Sequence, residues 1–261
     1  MLNVTLYFRE LRGLGEKGIF MIALLCSVQA EAELLLAKTV VTKTTPFGAK
    51  TVIAGRLAAR DILLCIGGMG KVNAAHAATL LLTHFNPEVL LIFGVGGTYP
   101  SSGAMVGDIA LANEEIAGDE GVLTVDGFKD TEYIGIPLLT TATTTIYTTY
   151  PASEGLLQQS RKSLASIRHN GSVHVGPFIT LSTCTGTAAR ARELEDRHHG
   201  LCENMEGAAA AQVALCHDVP WLEVRGISNI VEDRDLEKWN IPKAAEAAQN
   251  AVMHILEGWR R

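Results

Sequence analysis

Short unbroken apolar runs alternate along this chain with longer stretches whose apolar positions recur at helical spacing. The runs read as buried strands, and the periodic stretches read as helices that turn one face to a core. The pattern predicts a strand over 21–27, in "MIALLCS", and a helix over 29–38, in "QAEAELLLAK". Two strands follow over 50–58 and 61–66. "GGMGKV" is a glycine loop that opens a helix over 71–85. A short buried strand over 89–93 ends in "GVGG", and another strand covers 108–113. From 114 to 150 the pattern weakens into Thr-rich and Gly-rich segments, read as loops and edge strands. Beyond them come a helix over 155–166, a strand over 173–181 ending in "STCTGT", and a helix over 186–198. A short strand over 201–204, an Ala-rich helix over 206–217, a strand over 221–227 and a last helix over 242–259 complete the order. Such alternation builds an α/β fold, a three-layer α/β/α domain around a mixed, mostly parallel central sheet. No repeat or linker divides it, so 21–261 reads as a single domain.

Composition narrows the class. The 261 residues are 48% hydrophobic and 19% charged, which supports a sizeable core and argues against disorder. The net charge is −6 with no long run of one sign. A duplex binder needs a basic face, so nucleic acid is not expected as a partner. Arg197, His198 and His199 read as surface. The five cysteines, 26, 65, 184, 202 and 216, form no C-x-x-C and no zinc spacing. Reduced thiols, a cytoplasmic protein, no metal and no cofactor are the expectation.

Near the N-terminus, Arg9, Arg12 and Lys17 precede the apolar "IFMIALLCSV", and "VQA" imitates a signal cleavage site. The stretch is too short to span a bilayer. It continues into the amphipathic "QAEAELLL", which favours a first buried strand entered from Met21. No other segment qualifies as a transmembrane helix, so no membrane is expected. Residues 1–20 are expected to be a non-native or disordered extension, because "GEKGIFM" could be encoded by a purine-rich ribosome-binding segment before a start codon at Met21.

The candidate chemistry sits at strand ends, where α/β proteins keep their sites. "GVGGTY" at 94–99 lacks the third glycine of a dinucleotide fingerprint, because Tyr99 stands there, and "GGMGKV" lacks phosphate-loop spacing. Both read as tight turns that admit close backbone approach. In "ENMEGAAAAQ", Glu203 and Glu206 are placed to act as helix caps or dipole partners. The Asn-Met-Glu junction favours a functional Glu206. Glu31 sits near the start of the helix after strand one, where a dipole role competes evenly with a functional one, and Glu33 faces elsewhere. "RGISN", 225–229, reads as a strand end running into a polar loop.

In this order, Glu31, "GMGKV", "GVGG", "STCTG", "NMEGAAAAQV" and "RGISN" resemble the nucleoside phosphorylase/nucleosidase family. The likeness is greatest to its 5′-methylthioadenosine/S-adenosylhomocysteine nucleosidases and futalosine hydrolases. It spans 21 to 259, and residues 1–20 have no counterpart. The resemblance implies cleavage of an N-ribosidic bond through an oxocarbenium-like cation, a small-molecule nucleoside as ligand, and a homodimer or higher homo-oligomer whose neighbouring subunit closes the pocket. That chemistry needs a nucleophile, a hold on the ribose hydroxyls and neutralisation of the departing purine. By the resemblance Glu31 activates water, Glu206 takes the ribose hydroxyls and Met205 packs under the sugar. Asn229, beside Ser228, contacts the purine N7 edge. Thr183 and Cys184 contact the base, and Gly94 and Gly96 bring backbone close to the substrate. Thr183 departs from the family, which usually has an aromatic there.

Phosphorylases of the family resemble one another in carrying an arginine in the loop after strand one. Here the loop is "CSVQAEAE", with an acid and no cation, which repels phosphate and suits water activation. The reading is a hydrolase. In the adenine-specific nucleosidases the position of Asn229 is an aspartate. An amide offers an N–H₂ to a 6-oxo group and a C=O to a protonated N7. That matches hypoxanthine or guanine, and futalosine hydrolase, which removes hypoxanthine from futalosine in a menaquinone pathway, fits best. The alternatives are a methylthioadenosine-type adenine nucleosidase, a catalytically inactive nucleoside-binding module, an NAD-binding oxidoreductase, and an Asn229 that merely caps "IVEDRD".

Overall fold

Strand β1 (Met21–Cys26) is apolar throughout and buried from Ile22 onward. The cause is its place in the sheet: it pairs in parallel with β4 (Arg60–Ile66) on one edge and β5 (Val89–Thr98) on the other. A strand flanked on both edges and covered on both faces has no polar side to show. The computed structural model describes residues 20–165 and 171–260. The expected extension therefore lies outside the described residues as far as residue 19, while Phe20 packs its ring against Trp259 with centroids 6.1 Å apart.

The remaining strands are β2 (Val40–Phe47), β3 (Lys50–Leu57), β6 (Ile109–Ala117), β7 (Gly121–Thr124), β8 (Gly127–Asp130), β9 (Leu139–Thr140), β10 (Thr145–Ile146), β11 (Thr149–Pro151), β12 (Val173–Thr180), β13 (Cys202–Asn204) and β14 (Trp221–Ile230). The helices are α1 (Glu33–Lys38), α2 (Lys71–Phe85), α3 (Thr131–Ile134), α4 (Glu154–Ala165), α5 (Ala188–His198), α6 (Gly207–Cys216) and α7 (Ile241–Glu257). A ten-stranded sheet runs β11-β6-β12-β13-β5-β1-β4-β3-β2, and β14 bridges β5 and β6. Strands β6, β12, β13, β5 and β14 thereby close on themselves, and β1, β4, β3 and β2 continue as an open wing. Parallel ladders join β1 to its two neighbours, β12 to β6 and β13, and β14 to β5. The ladders β2–β3, β3–β4, β5–β13, β6–β14 and β6–β11 are antiparallel, so the sheet is mixed. Helices α2 and α6 cover one face, and α1, α4 and α7 cover the other, each with its own apolar cluster. This is the expected three-layer fold. Among the described residues no helix is long and apolar enough to cross a membrane.

Four differences from the periodicity reading have physical causes. Strand β2 has no counterpart in the expected order, because "VVTKTTPF" is exposed at most positions and carries Pro46. It is an edge strand, and an edge gives no burial signal. The helix expected over 29–38 is broken into a 3-10 turn, Gln29–Glu31, and α1, with Ala32 between them. β5 does not stop before "GVGG" but runs through it to Thr98. β14 likewise runs on to Ile230, so "RGISN" lies inside the strand and not in a loop. The two extensions support each other: Ile227 pairs with Gly96 and Asn229 with Gly97, across an irregularity that leaves Ser228 as the extra residue.

Candidate active site

The turn after β1 brings Glu31 back over the strand end. Its Oε2 accepts from Ser27 N (2.9 Å) and Val28 N (3.2 Å), and its Oε1 accepts from Val95 N on β5 (2.8 Å). Glu31 is only 3% exposed. Gly94 makes this position possible, because a Cβ there would lie 2.5 Å from Glu31 Oε1 and 2.9 Å from Arg225 Nη1. From α7, Gln249 holds the turn in place: its Oε1 accepts from Leu34 N (2.7 Å) and its Nε2 donates to Ala30 O (3.4 Å).

Glu206 stands between β13 and α6, but its carboxylate does not cap the helix. Asn204 does so instead: its Oδ1 accepts from Glu206 N (2.9 Å) and Gly207 N (2.7 Å). The competing reading of Glu203 or Glu206 as a side-chain cap is thus set aside, and the Glu206 carboxylate turns to other partners. Its Oε1 accepts from Gly70 N (2.9 Å), and its Oε2 meets Arg225 Nη2 (3.2 Å). Arg225, 2% exposed, also donates from Nη1 to Val95 O (2.9 Å) and from Nε to Glu223 Oε1 (2.6 Å). Desolvation opposes a charged guanidinium here, but the charges of Glu223, Glu206 and Glu31 outweigh it and hold Arg225 protonated. Val95 therefore links the two acids. Its N–H holds Glu31, and its C=O holds the arginine that holds Glu206.

Farther along β5 and β14, Ser228 Oγ lies 3.1 Å from Gly96 O and 2.7 Å from Asn229 Oδ1. Asn229 Nδ2 donates to Ile230 O (3.1 Å), and the residue is 7% exposed. Cys184 Sγ touches Met205 Sδ at 3.4 Å, while Thr183 stands exposed beside it. The loop carrying both is tied at two points. Ser182 N donates to Asp119 Oδ2 (2.6 Å), and Thr185 N donates to Glu203 Oε1 (2.7 Å). Tyr99 OH donates to Glu203 Oε2 (3.1 Å), and burial raises the Glu203 pKa in spite of these donors. Lys71 of "GGMGKV" bonds Asp119 Oδ1 (2.6 Å) and Glu120 Oε1 (3.0 Å), so it braces the loop through acids.

The fold thus gathers Glu31, Gly94 and Glu206 around Arg225, Gly96 with Ser228 and Asn229, and Cys184 with Met205. Periodicity reasoning missed Arg225, Gly70, Asn204 and Glu223, and it read Glu203 only as a helix cap or dipole partner. One signal was present: Glu223 and Arg225 stand two apart in an apolar run, hence on one face of a buried strand, where charge is rare unless paired.

A family model described as the phosphorylase superfamily matches residues 21–257. The chain belongs to the phosphorylase superfamily. It is 30% identical over 236 residues to the 5′-methylthioadenosine/S-adenosylhomocysteine nucleosidase of Maridesulfovibrio salexigens, covering 90% of this chain and 96% of that one. It is 31% identical over 238 residues to the futalosine hydrolase of Acidothermus cellulolyticus, covering 90% of each. The S-adenosylhomocysteine nucleosidase from Streptococcus pyogenes in complex with 5-methylthiotubericidin has the same fold, with a TM-score of 0.81 at 22% identity over 95% of this chain and 100% of that one. This superfamily member is an N-ribosyl hydrolase. The two sequence relatives differ in substrate, so the choice falls to residues of its own site.

Proposed function

We propose that this N-ribosyl hydrolase acts on a 5′-modified 6-oxopurine nucleoside, futalosine, and releases hypoxanthine and dehypoxanthine futalosine in menaquinone biosynthesis. It works in the cytoplasm as a homodimer or larger homo-oligomer, without metal or cofactor. The observation that carries the choice of base is the buried amide of Asn229. The Ser228 hydroxyl and the Ile230 carbonyl each occupy one side of it, which leaves one N–H and one acceptor position of the amide. Those remaining groups complement a 6-oxo oxygen and a protonated N7. With its N–H set at position 6 and its C=O at N7, the amide would meet the amino group of adenine with a donor.

The two acids take the roles their contacts leave open. A carboxylate has about four acceptor positions. Three on Glu31 are filled by backbone N–H groups, and the remaining one receives a proton from water as the water oxygen attacks C1′ and the C1′–N9 bond breaks. Glu206 has two filled, by Gly70 and Arg225, and about two remain for the ribose hydroxyls. The bonding electrons leave with the purine, and its N7 proton comes from water or a relay, because an amide supplies none.

Asn229→Asp tests the base assignment. A carboxylate would face both the Ile230 carbonyl and the 6-oxo group unless protonated, whereas the adenine amino group would find an acceptor. The expected outcome is a swing of ~2–4 kcal/mol in relative kcat/KM towards adenine, measured on adenine and hypoxanthine nucleosides with the same 5′ group. Equal preference in wild type and variant would leave hypoxanthine without support. Phosphate is expected to leave the rate unchanged, with free sugar as product, because Arg225 is already engaged by Glu223, Glu206 and Val95. Detection of a sugar 1-phosphate would overturn this.

A further inference from the structure

Behind Arg225 lie two acids that the reaction above does not use. Glu115 on β6 and Glu223 on β14 are both 0% exposed. Glu115 Oε2 accepts from Thr180 Oγ1 (2.7 Å), and its Oε1 accepts from Asn204 Nδ2 (2.6 Å). Glu223 Oε1 accepts from Arg225 Nε (2.6 Å). The other oxygen, Glu223 Oε2, has no hydrogen-bond donor among the described residues. Gly207 shows where that oxygen points, because a Cβ there would collide with both Glu115 Oε1 and Glu223 Oε2. The two carboxylates face each other at the start of α6, where only a residue without a side chain leaves room. Two bare anions in that position would repel and leave an orphan acceptor, and a hydrogen between them removes both costs. Burial, and after it the charge of Glu223, pushes the Glu115 carboxyl well above the ordinary carboxylate range. The other titratable groups near the pair are Arg225 on β14, Cys202 on β13 and, around Arg225, Glu206 and Glu31.

We propose that Glu115 and Glu223 share one proton and act as a unit that orients Arg225, which makes them positioning residues for Glu206 and Glu31. The positioning half rests on the reading of the two acids given above; the shared proton does not. A second full charge on the pair would add repulsion against Glu206 and draw the guanidinium away from it. Glutamine at 223 reproduces the shared state: its carbonyl accepts from Arg225 Nε and its N–H donates to Glu115 Oε1.

The proton is tested without substrate. The folded protein keeps a proton that the unfolded chain releases above about pH 4.3. The folded state then binds more protons, so the folding constant of the wild type falls as pH rises, until the folded pair itself titrates. Relative to E223Q the fall should be about tenfold per pH unit in denaturant unfolding, from about pH 5.5 upward until the folded pair itself titrates. The infrared difference spectrum, wild type minus E223Q, should show the C=O stretch of a protonated carboxyl at neutral pH. Should E223Q fail to fold, E115Q should lose the same band. Parallel pH dependences, or no such band, would overturn the shared proton. For positioning, E223Q should keep a near wild-type kcat, while E223M should lose about tenfold or more with little change in KM. An E223Q as impaired in kcat as E223M would overturn the positioning role.

Discussion

Glu31→Gln is expected to remain folded and to lose turnover by about 10²–10⁴-fold, the range for removing a general base. The amide keeps the shape of the side chain but removes the proton acceptor. It also brings a cost in stability. All three partners of the native carboxylate, the N–H groups of Ser27, Val28 and Val95, are donors. The new N–H₂ must face at least one of them, a mismatch worth about 1–3 kcal/mol at a buried site. The two effects separate by measurement: unfolding shows a modest loss, and single-turnover base release shows a large one. A variant with near-normal turnover would leave Glu31 as a brace between β1 and β5 and no more.

Glu206→Gln is expected to lose about 10²-fold or more in kcat/KM, because hydrogen bonds to a sugar 2-hydroxyl that tighten in an oxocarbenium-like transition state supply several kcal/mol. The fold should hold, since Asn204 and not Glu206 caps α6, and Arg225 keeps Glu223 and Val95. The signature is selective. The wild type should favour ribosides over 2′-deoxyribosides, and the variant should discriminate poorly, since the acceptor for the hydroxyl has been weakened. A wild type that treats both sugars alike would rule out the ribose hold.

Much of this protein is legible from the chain read alone. The glycine start and helical spacing of "GMGKVNAA" predict α2 over the residues it occupies, and the charge-free "MIALLC" predicts β1. Both signals are local, because burial on one stripe or on two faces imposes its own period. The order of elements gives the layer architecture, and the residues of the candidate site are present as motifs. What periodicity does not carry is any feature whose cause is a neighbour distant in sequence. "GVGG" and "RGISN" look like loops because glycine and polar residues end most strands. Here β5 and β14 extend through them by pairing with each other. Glu206 looks like a helix cap until Asn204 is seen to hold that place. The backbone N–H and C=O of Val95, which join Glu31 to Arg225 and so to Glu206, have no side-chain signature at all. Backbone donors and acceptors are the same at every residue but proline. Which of them meet a carboxylate is therefore decided only when the strands come together in the folded sheet.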